Sequence, residues 1–413
     1  MHKNNIEIMS PVGSYESLMA AVQGGANAVY FGVGKLNMRA RSSVNFSLHD
    51  LETITGICRE HSLRSYLTLN TVVFDEELDE IQRIVDAAKE HGVSAIIASD
   101  FAVLEYARSI GMEVHISTQC NITNLAAVKF FSRYADVMVT ARELSLDQVA
   151  SIIKKIETQN ICGPSGELVK IEIFVHGALC MAVSGKCYLS LDNFNHSANR
   201  GACLQPCRRA YTVKDKESDL EVEVDNEYIM SPKDLKTIGF LDKILAAGIT
   251  VLKIEGRGRA PEYVKTVTRV YREAVDACFN GTFTQENIVY WNAKLSSVYN
   301  RGFWDGYYLG QKIGEWSGKY GSQATMRKEY VGKVTNYYAK LNVAEIRIEA
   351  QSLNVGDTIL INGATTGAYE DKLKEIRVDL QTVGSATKGE LCSIPVTSFV
   401  RRNDKLYKLI ENV

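Results

Sequence analysis

Cys180, Cys187, Cys203 and Cys207 fall within 28 residues in the pattern C-x6-C-x15-C-x3-C, and the other five of nine cysteines are scattered singly. Thiolates gathered this closely repel one another unless a cation or cluster neutralises them, so the spacing points to a metal site, either zinc or iron–sulfur. Gly177, Gly185 and Gly201 let the backbone turn sharply around such a centre, and Pro206 stiffens the last ligand. A disulfide framework is the ordinary alternative. It belongs to oxidising compartments, and the opening MHKNNIEIMSPVG lacks the apolar core of a leader. With no run of 18 apolar residues either, a cytosolic protein without a membrane span is expected. His176, four residues before Cys180, leaves one further chemistry open, a cysteine nucleophile with a neighbouring base.

The elements that must position these cysteines repeat along the chain. Eight short β-branched runs, at 6–10, 28–32, 65–70, 95–99, 113–118, 137–141, 172–176 and 250–255, alternate with helical patterns such as 15–24, 76–91 and 262–279. Such βα units predict an α/β fold, a TIM-type (β/α)8 barrel over 1–285, with a doubly wound open sheet as its competitor. In a barrel the apolar face of each strand meets the helices and the other face points into the lumen. The alternation then sends Tyr66, Thr68, Asn70, His115, Ser117 and Gln119 inward. It does the same for Thr140 and Arg142, for Glu172, Phe174 and His176, and for Lys253 and Glu255. Burying this many polar groups without purpose would cost several kcal/mol each, so a polar pocket at the C-terminal mouth is expected. A register slip of one residue would reverse every assignment. Asp100, Glu143 and Arg257 lie just past strand ends, as rim groups or helix caps.

The cysteine loop, 177–209, leaves the end of the seventh strand and should hang over this pocket. Arg200, Arg208 and Arg209 surround its last cysteines, where they could hold an anionic substrate or an RNA phosphate, or balance the charge of a cluster. Two alternating runs at 211–215 and 220–224 predict an inserted hairpin. The aromatic- and glycine-rich stretch 286–327 lacks clear periodicity and reads as a linker whose Trp304, Tyr307 and Tyr308 bury themselves against the barrel rather than stack on bases. Short alternating runs over 328–413 predict a small C-terminal all-β barrel domain. A net charge of −2 over 413 residues gives no global basic footprint, so any nucleic-acid contact must be local.

The stretches HGALCMAVSGKC (176–187) and NRGACLQPCRR (199–209) resemble the U32 peptidases. The likeness extends through 10–32, 117–124, 142–149, 231–235, 253–264 and 300–310, nearly the whole chain. An element common in that family, GADAVY, stands here with Asn27 in place of its acid. The resemblance implies hydroxylation chemistry carried on a [4Fe–4S] cluster, on tRNA wobble uridine, ribosomal RNA or ubiquinone precursors. The two-domain length is most similar to the prephenate-dependent tRNA hydroxylation proteins, which make 5-hydroxyuridine. By that analogy Cys180, Cys187, Cys203 and Cys207 hold the cluster. Glu172, His176, Arg142, Lys253 and Glu255 line the pocket for prephenate or the target base, with Asn70, Gln119, Arg200, Arg208 and Arg209 on the substrate side. Two other functions stay open. One is a collagenase-like hydrolase with Cys180 as nucleophile; the other is a non-catalytic RNA-binding module with a structural metal. No HExxH or GxSxG stretch supports hydrolysis.

Overall fold

The computed structural model describes residues 3–41, 45–212, 228–312 and 314–412. Residues 213–227, which hold most of the expected hairpin, lie outside them.

All eight expected barrel strands are present. They are β1 (Glu7–Pro11), β2 (Ala28–Gly32), β3 (Arg64–Leu69), β4 (Ala95–Ala98), β5 (Val114–Ile116), β6 (Val137–Val139) and β7 (Lys170–Gly177), with Val251–Ile254 as the eighth wall strand. Between β7 and that last strand comes β8 (Asp234–Lys236), so the eighth wall strand is β9; β10 is Phe303–Trp304. Each wall strand runs parallel to the next, and β9 pairs with both β7 and β1, which closes the ring. The short β8 runs antiparallel to the last residues of β7, and β10 lies beside it. The segments DLK of β8 and FW of β10 contain no β-branched alternating run from which a strand could be read.

Side-chain period 2 separates the two faces as expected. Ile8, Phe31, Leu67, Ile96, Val114 and Leu252 join the main core under the helices. The lumen is not polar throughout, however. Met9, Ala28, Tyr30, Tyr66, Ile97 and Val251 pack together inside it, a separate apolar layer supplied mainly by strands whose inward residues are not charged. The helices have local causes. Ser14 caps Tyr15–Gly24 by accepting from the Ser17 N–H, and Ser145 and Gln148 form a reciprocal capping box on Leu146–Thr158.

The stretch read as an aperiodic linker opens with a helix, Gln285–Ser297, capped by Thr284 and docked through Trp291 and Leu295, four residues apart on one face. Beyond it Trp304 and Tyr308 are buried, and the Tyr308 hydroxyl donates to the Phe174 carbonyl at 2.8 Å. The C-terminal region is an eight-stranded antiparallel sheet around a core of its own, including Val334, Ile346, Ile361 and Ile394. It is tied to the barrel by Lys328–Glu262 at 2.7 Å and by Gln23, which donates to the Thr366 carbonyl at 2.7 Å.

Candidate functional site

A cavity of about 240 Å3 opens at the C-terminal ends of the strands, and all four clustered cysteines line it. Gly177 makes this possible: at φ +103° it turns the chain out of β7, and a Cβ there would stand 2.4 Å from the Glu255 carbonyl oxygen. Gly201, at φ +81°, brings the returning loop against the Asn37 carbonyl with the same lack of room. The four thiols form no disulfides. Burial pushes the Cys207 thiol up against the pull of Arg208, and the neighbouring Cys203, Cys180 and Cys187 add to the rise. Among the described residues, no three His, Cys, Asp or Glu side chains converge tightly enough to hold a single metal ion. A zinc ion about 2.3 Å from each sulfur would need them within about 4 Å of one another. A cubane, with one thiolate on each of four irons, holds its ligands farther apart. All four thiols nevertheless line one cavity wall, the donor set that a cluster or a metal would need.

The rest of the wall is cationic. Six arginines and Lys253 face a single carboxylate, Glu255, among the described lining residues. Glu255 accepts from Arg39 Nη2 at 2.8 Å and from the Tyr30 hydroxyl at 3.2 Å. Burial alone would raise its carboxyl, but Arg39, Arg142 and Arg257 together hold it down to about 2. Arg257 donates to Thr68 Oγ1 at 2.8 Å, and burial lowers its guanidinium to about 10. Arg142 stacks 4.0 Å from the centre of the Phe174 ring and donates from Nη1 to the Ala178 carbonyl at 3.2 Å, while its buried Nε has no hydrogen-bond partner. An excess of guanidinium and ammonium charge in a concave site is built to hold an anion, and a planar guanidinium matches a carboxylate or phosphate.

Below the pocket the lumen carries a buried charge pair. Lys253 Nζ stands 2.7 Å from Glu172 Oε1 and 4.7 Å from the centre of the Tyr30 ring. Burial would raise the Glu172 carboxyl; Lys253 and His115 outweigh it and lower it. On its far side Glu172 Oε2 faces His115 Nδ1 at 3.8 Å.

Of the residues singled out from sequence, Asn70, Gln119, Arg142, Arg208, Lys253, Glu255 and the four cysteines come together on the cavity wall. Asn70 Nδ2 donates to Ser117 Oγ at 3.1 Å and to Gln119 Oε1 at 3.3 Å. Four others do not line it. Glu172 lies beneath Lys253. His176 is turned into the wall among the rings of Tyr263, Tyr271 and Phe303, because the pairing of β7 with β9 shifts register between Phe174 and His176. Arg200 is held by Glu77, at 2.7 Å from Nη1, and stacks 3.9 Å from the Phe74 ring centre. Arg209 lies over Phe194. At the rim, Asp100 caps the helix Phe101–Ser109. The pocket also takes Arg39, Arg259 and Arg301, which strand alternation could not find because all three sit in loops. Only Arg259 had a visible signal, the arginine-rich run after β9.

The sequence profile of Peptidase family U32 matches residues 13–318. The chain is 59% identical over 408 residues to a Porphyromonas gingivalis protein named collagenase, covering 99% of each. It is 33% identical over 348 residues to tRNA hydroxylation protein P1 of Bacillus subtilis, covering 80% of this chain and 77% of that one. With the 23S rRNA 5-hydroxycytidine C2501 synthase of Escherichia coli it shares 35% over 275 residues, 66% of this chain and 40% of the other.

Proposed function

Because the chain belongs to Peptidase family U32, we propose that it is an RNA-modifying enzyme that hydroxylates tRNA wobble uridine to 5-hydroxyuridine. In this proposal Cys180, Cys187, Cys203 and Cys207 hold a [4Fe–4S] cluster, and prephenate is the small anionic co-substrate. The observation that carries the reading is a strongly cationic pocket walled by four free thiols at the mouth of the barrel. Relatives named for RNA hydroxylation, at 33% and 35% identity, support the reaction class.

When bound, the cluster supplies one-electron redox chemistry at the pocket wall. The chain's own residues do the rest. Arg142, flattened on Phe174, offers a fixed donor set to one carboxylate of a dianion, and Lys253 and Arg257 supply charge deeper in the cavity. Glu255 holds Arg39 in place and keeps the wall from being uniformly cationic. Asn70 and Gln119 give the pocket amide groups suited to the edge of a nucleobase.

The 59% identical relative named collagenase favours a second reading, hydrolysis with Cys180 as nucleophile. That chemistry needs a base within hydrogen-bond reach of the thiol. His176 faces the Tyr271 hydroxyl from Nδ1 at 3.5 Å and does not line the cavity that Cys180 lines. Nor would a nucleophile explain Cys187, Cys203 and Cys207. Protein purified without oxygen should be brown and contain about four irons per chain; colourless protein with one zinc would contradict the proposal. In parallel, gelatin degradation lost with Cys180→Ser and kept with Cys203→Ser would favour the peptidase. A cellular phenotype unaltered by Lys253→Ala would favour an RNA-binding module with a structural metal.

A further inference from the structure

Three of the four cavity cysteines are followed in the chain by a large apolar residue that turns to solvent. Met181 follows Cys180, Tyr188 follows Cys187 and Leu204 follows Cys203, and they are 43%, 68% and 37% exposed. Consecutive Cα atoms lie about 3.8 Å apart, so neighbours of cavity-lining cysteines that reach solvent stand at the cavity's rim. The loop after β3 adds Phe74, a ring 53% exposed with Arg200 stacked 3.9 Å from its centre. It joins the same rim, because the Val72 N–H donates to the Asn199 carbonyl at 3.2 Å, and Asn70 and Asn199 both line the cavity. The cysteine loop is held from below. Asn121 Nδ2 donates to the Ser184 carbonyl at 3.2 Å, and a Cβ on Gly185 would stand 2.7 Å from Gln119 Cγ.

Single exposed apolar residues are ordinary on a protein surface, but a collar of them around one opening marks a contact site. Charge decides what covers it. The cavity inside the collar sets six arginines and Lys253 against Glu255 among its described lining residues, so its guest is anionic. Lys186, exposed between the lining residues Gly185 and Cys187, puts a further cation on the rim. A nucleic-acid duplex hides the faces of its bases, and a peptide offers apolar side chains without a regular negative charge. Single-stranded RNA presents flat apolar faces together with a charge at every phosphate.

We propose that this collar is the seat of a single-stranded RNA loop: Tyr188 and Phe74 stack on bases beside the one that enters the pocket, and Lys186 holds a backbone phosphate. The inference rests on the RNA reading of the pocket and adds to it the residues that position the strand. Stacking on a ring tolerates any base, so the collar grips the loop while the pocket selects what enters. A ring carried on an anchored loop loses little freedom when a base covers it, which makes Tyr188 a better platform than the flexible Met181.

The test is fluorescence anisotropy of a labelled anticodon stem-loop RNA with a wobble uridine, titrated with the full-length protein at several salt concentrations. Tyr188→Ala should raise Kd about tenfold and leave the salt dependence unchanged, and Tyr188→Phe should restore the wild-type value. Lys186→Ala should instead flatten the slope of log Kd against log salt by about 0.7, the share of one phosphate contact on a single strand. Abasic sites flanking the uridine should remove most of the Tyr188→Ala effect, since the stacking partner is then gone. Tyr188→Ala and Phe74→Ala proteins that both bind as tightly as wild type overturn the collar. A duplex of the same length bound as tightly as the stem-loop overturns it too. Gelatin that competes as well as unlabelled RNA would give the collar to a peptide and overturn the assignment. Binding is read without turnover, so the two proposals fail separately. RNA held through Tyr188 by a protein that does not hydroxylate it sinks the functional proposal alone, and hydroxylation by a protein indifferent to both substitutions sinks the collar alone.

Discussion

Lys253→Met isolates the buried pair under the pocket. Lys253 Nζ lies 2.7 Å from Glu172 Oε1, Glu172 is fully buried, and its second oxygen has no hydrogen-bond partner. Removing the ammonium strands a carboxylate whose nearest remaining cation is His115, 3.8 Å away. Breaking one side of a buried pair costs about 3–5 kcal/mol, and His115 can offset part of that, so a loss of about 3 kcal/mol is expected. Glu172→Gln strands Lys253 and should cost about as much. The double variant leaves no orphaned charge, and replacing a buried pair by uncharged groups is often close to neutral. Its cost should therefore fall below the sum of the singles, about 6 kcal/mol, by about 3 kcal/mol or more. Urea unfolding followed by far-ultraviolet circular dichroism reads each term. A single-variant cost below about 1 kcal/mol, or a double variant equal to the sum, would refute this electrostatic assignment.

Three further outcomes follow from the same geometry. Arg142→Met should weaken prephenate binding by about tenfold to a hundredfold in calorimetry, since it removes a charge-assisted fork and leaves the stacking surface of Phe174. Cys203→Ser should lose bound iron while the barrel's helical signal stays intact, because the main core does not include the cysteine loop beyond Leu179 and the fold does not depend on it. His176 is driven down to about 3 by burial, with Lys236 and Arg259 adding to the fall. Its depressed value means that the unfolded chain takes up the proton first. Stability from this group is therefore complete above about pH 6.5 and is lost as pH falls toward 3, by on the order of 4–5 kcal/mol at the limit. His176→Phe should flatten that acid limb in denaturation measured from pH 7 to pH 4.

The strands of the barrel were legible because each carries an apolar face that recurs at period 2. The same periodicity placed Asn70, Gln119, Arg142, Lys253 and Glu255 toward the cavity. It failed at His176, where a bulge in the β7–β9 pairing turns one residue out of the alternation; nothing local in the sequence marks a bulge set by the partner strand. It also failed for the apolar lumen layer, since Met9, Tyr30 and Ile97 look the same to a sequence whether they face helices or the axis. Arg39 and Arg301 reach the pocket from loops far apart in the chain, and only the closed barrel brings them near the cysteines. Arg200 shows the reverse case. Its position near Cys203 suggested either a ligand for an anion or a charge balance for a cluster, yet Glu77 and the Phe74 ring engage it and fasten the cysteine loop to the loop after β3. No helix among the described residues is long and apolar enough to cross a membrane.

The most direct measurement is mass spectrometry of nucleosides from the total RNA of cells lacking the gene, alone and complemented with the wild-type or the Cys203→Ser chain. Loss of 5-hydroxyuridine derivatives in the null strain, restored by wild type and not by Cys203→Ser, is the expected result. An unchanged nucleoside profile in the null strain would contradict the hydroxylation proposal.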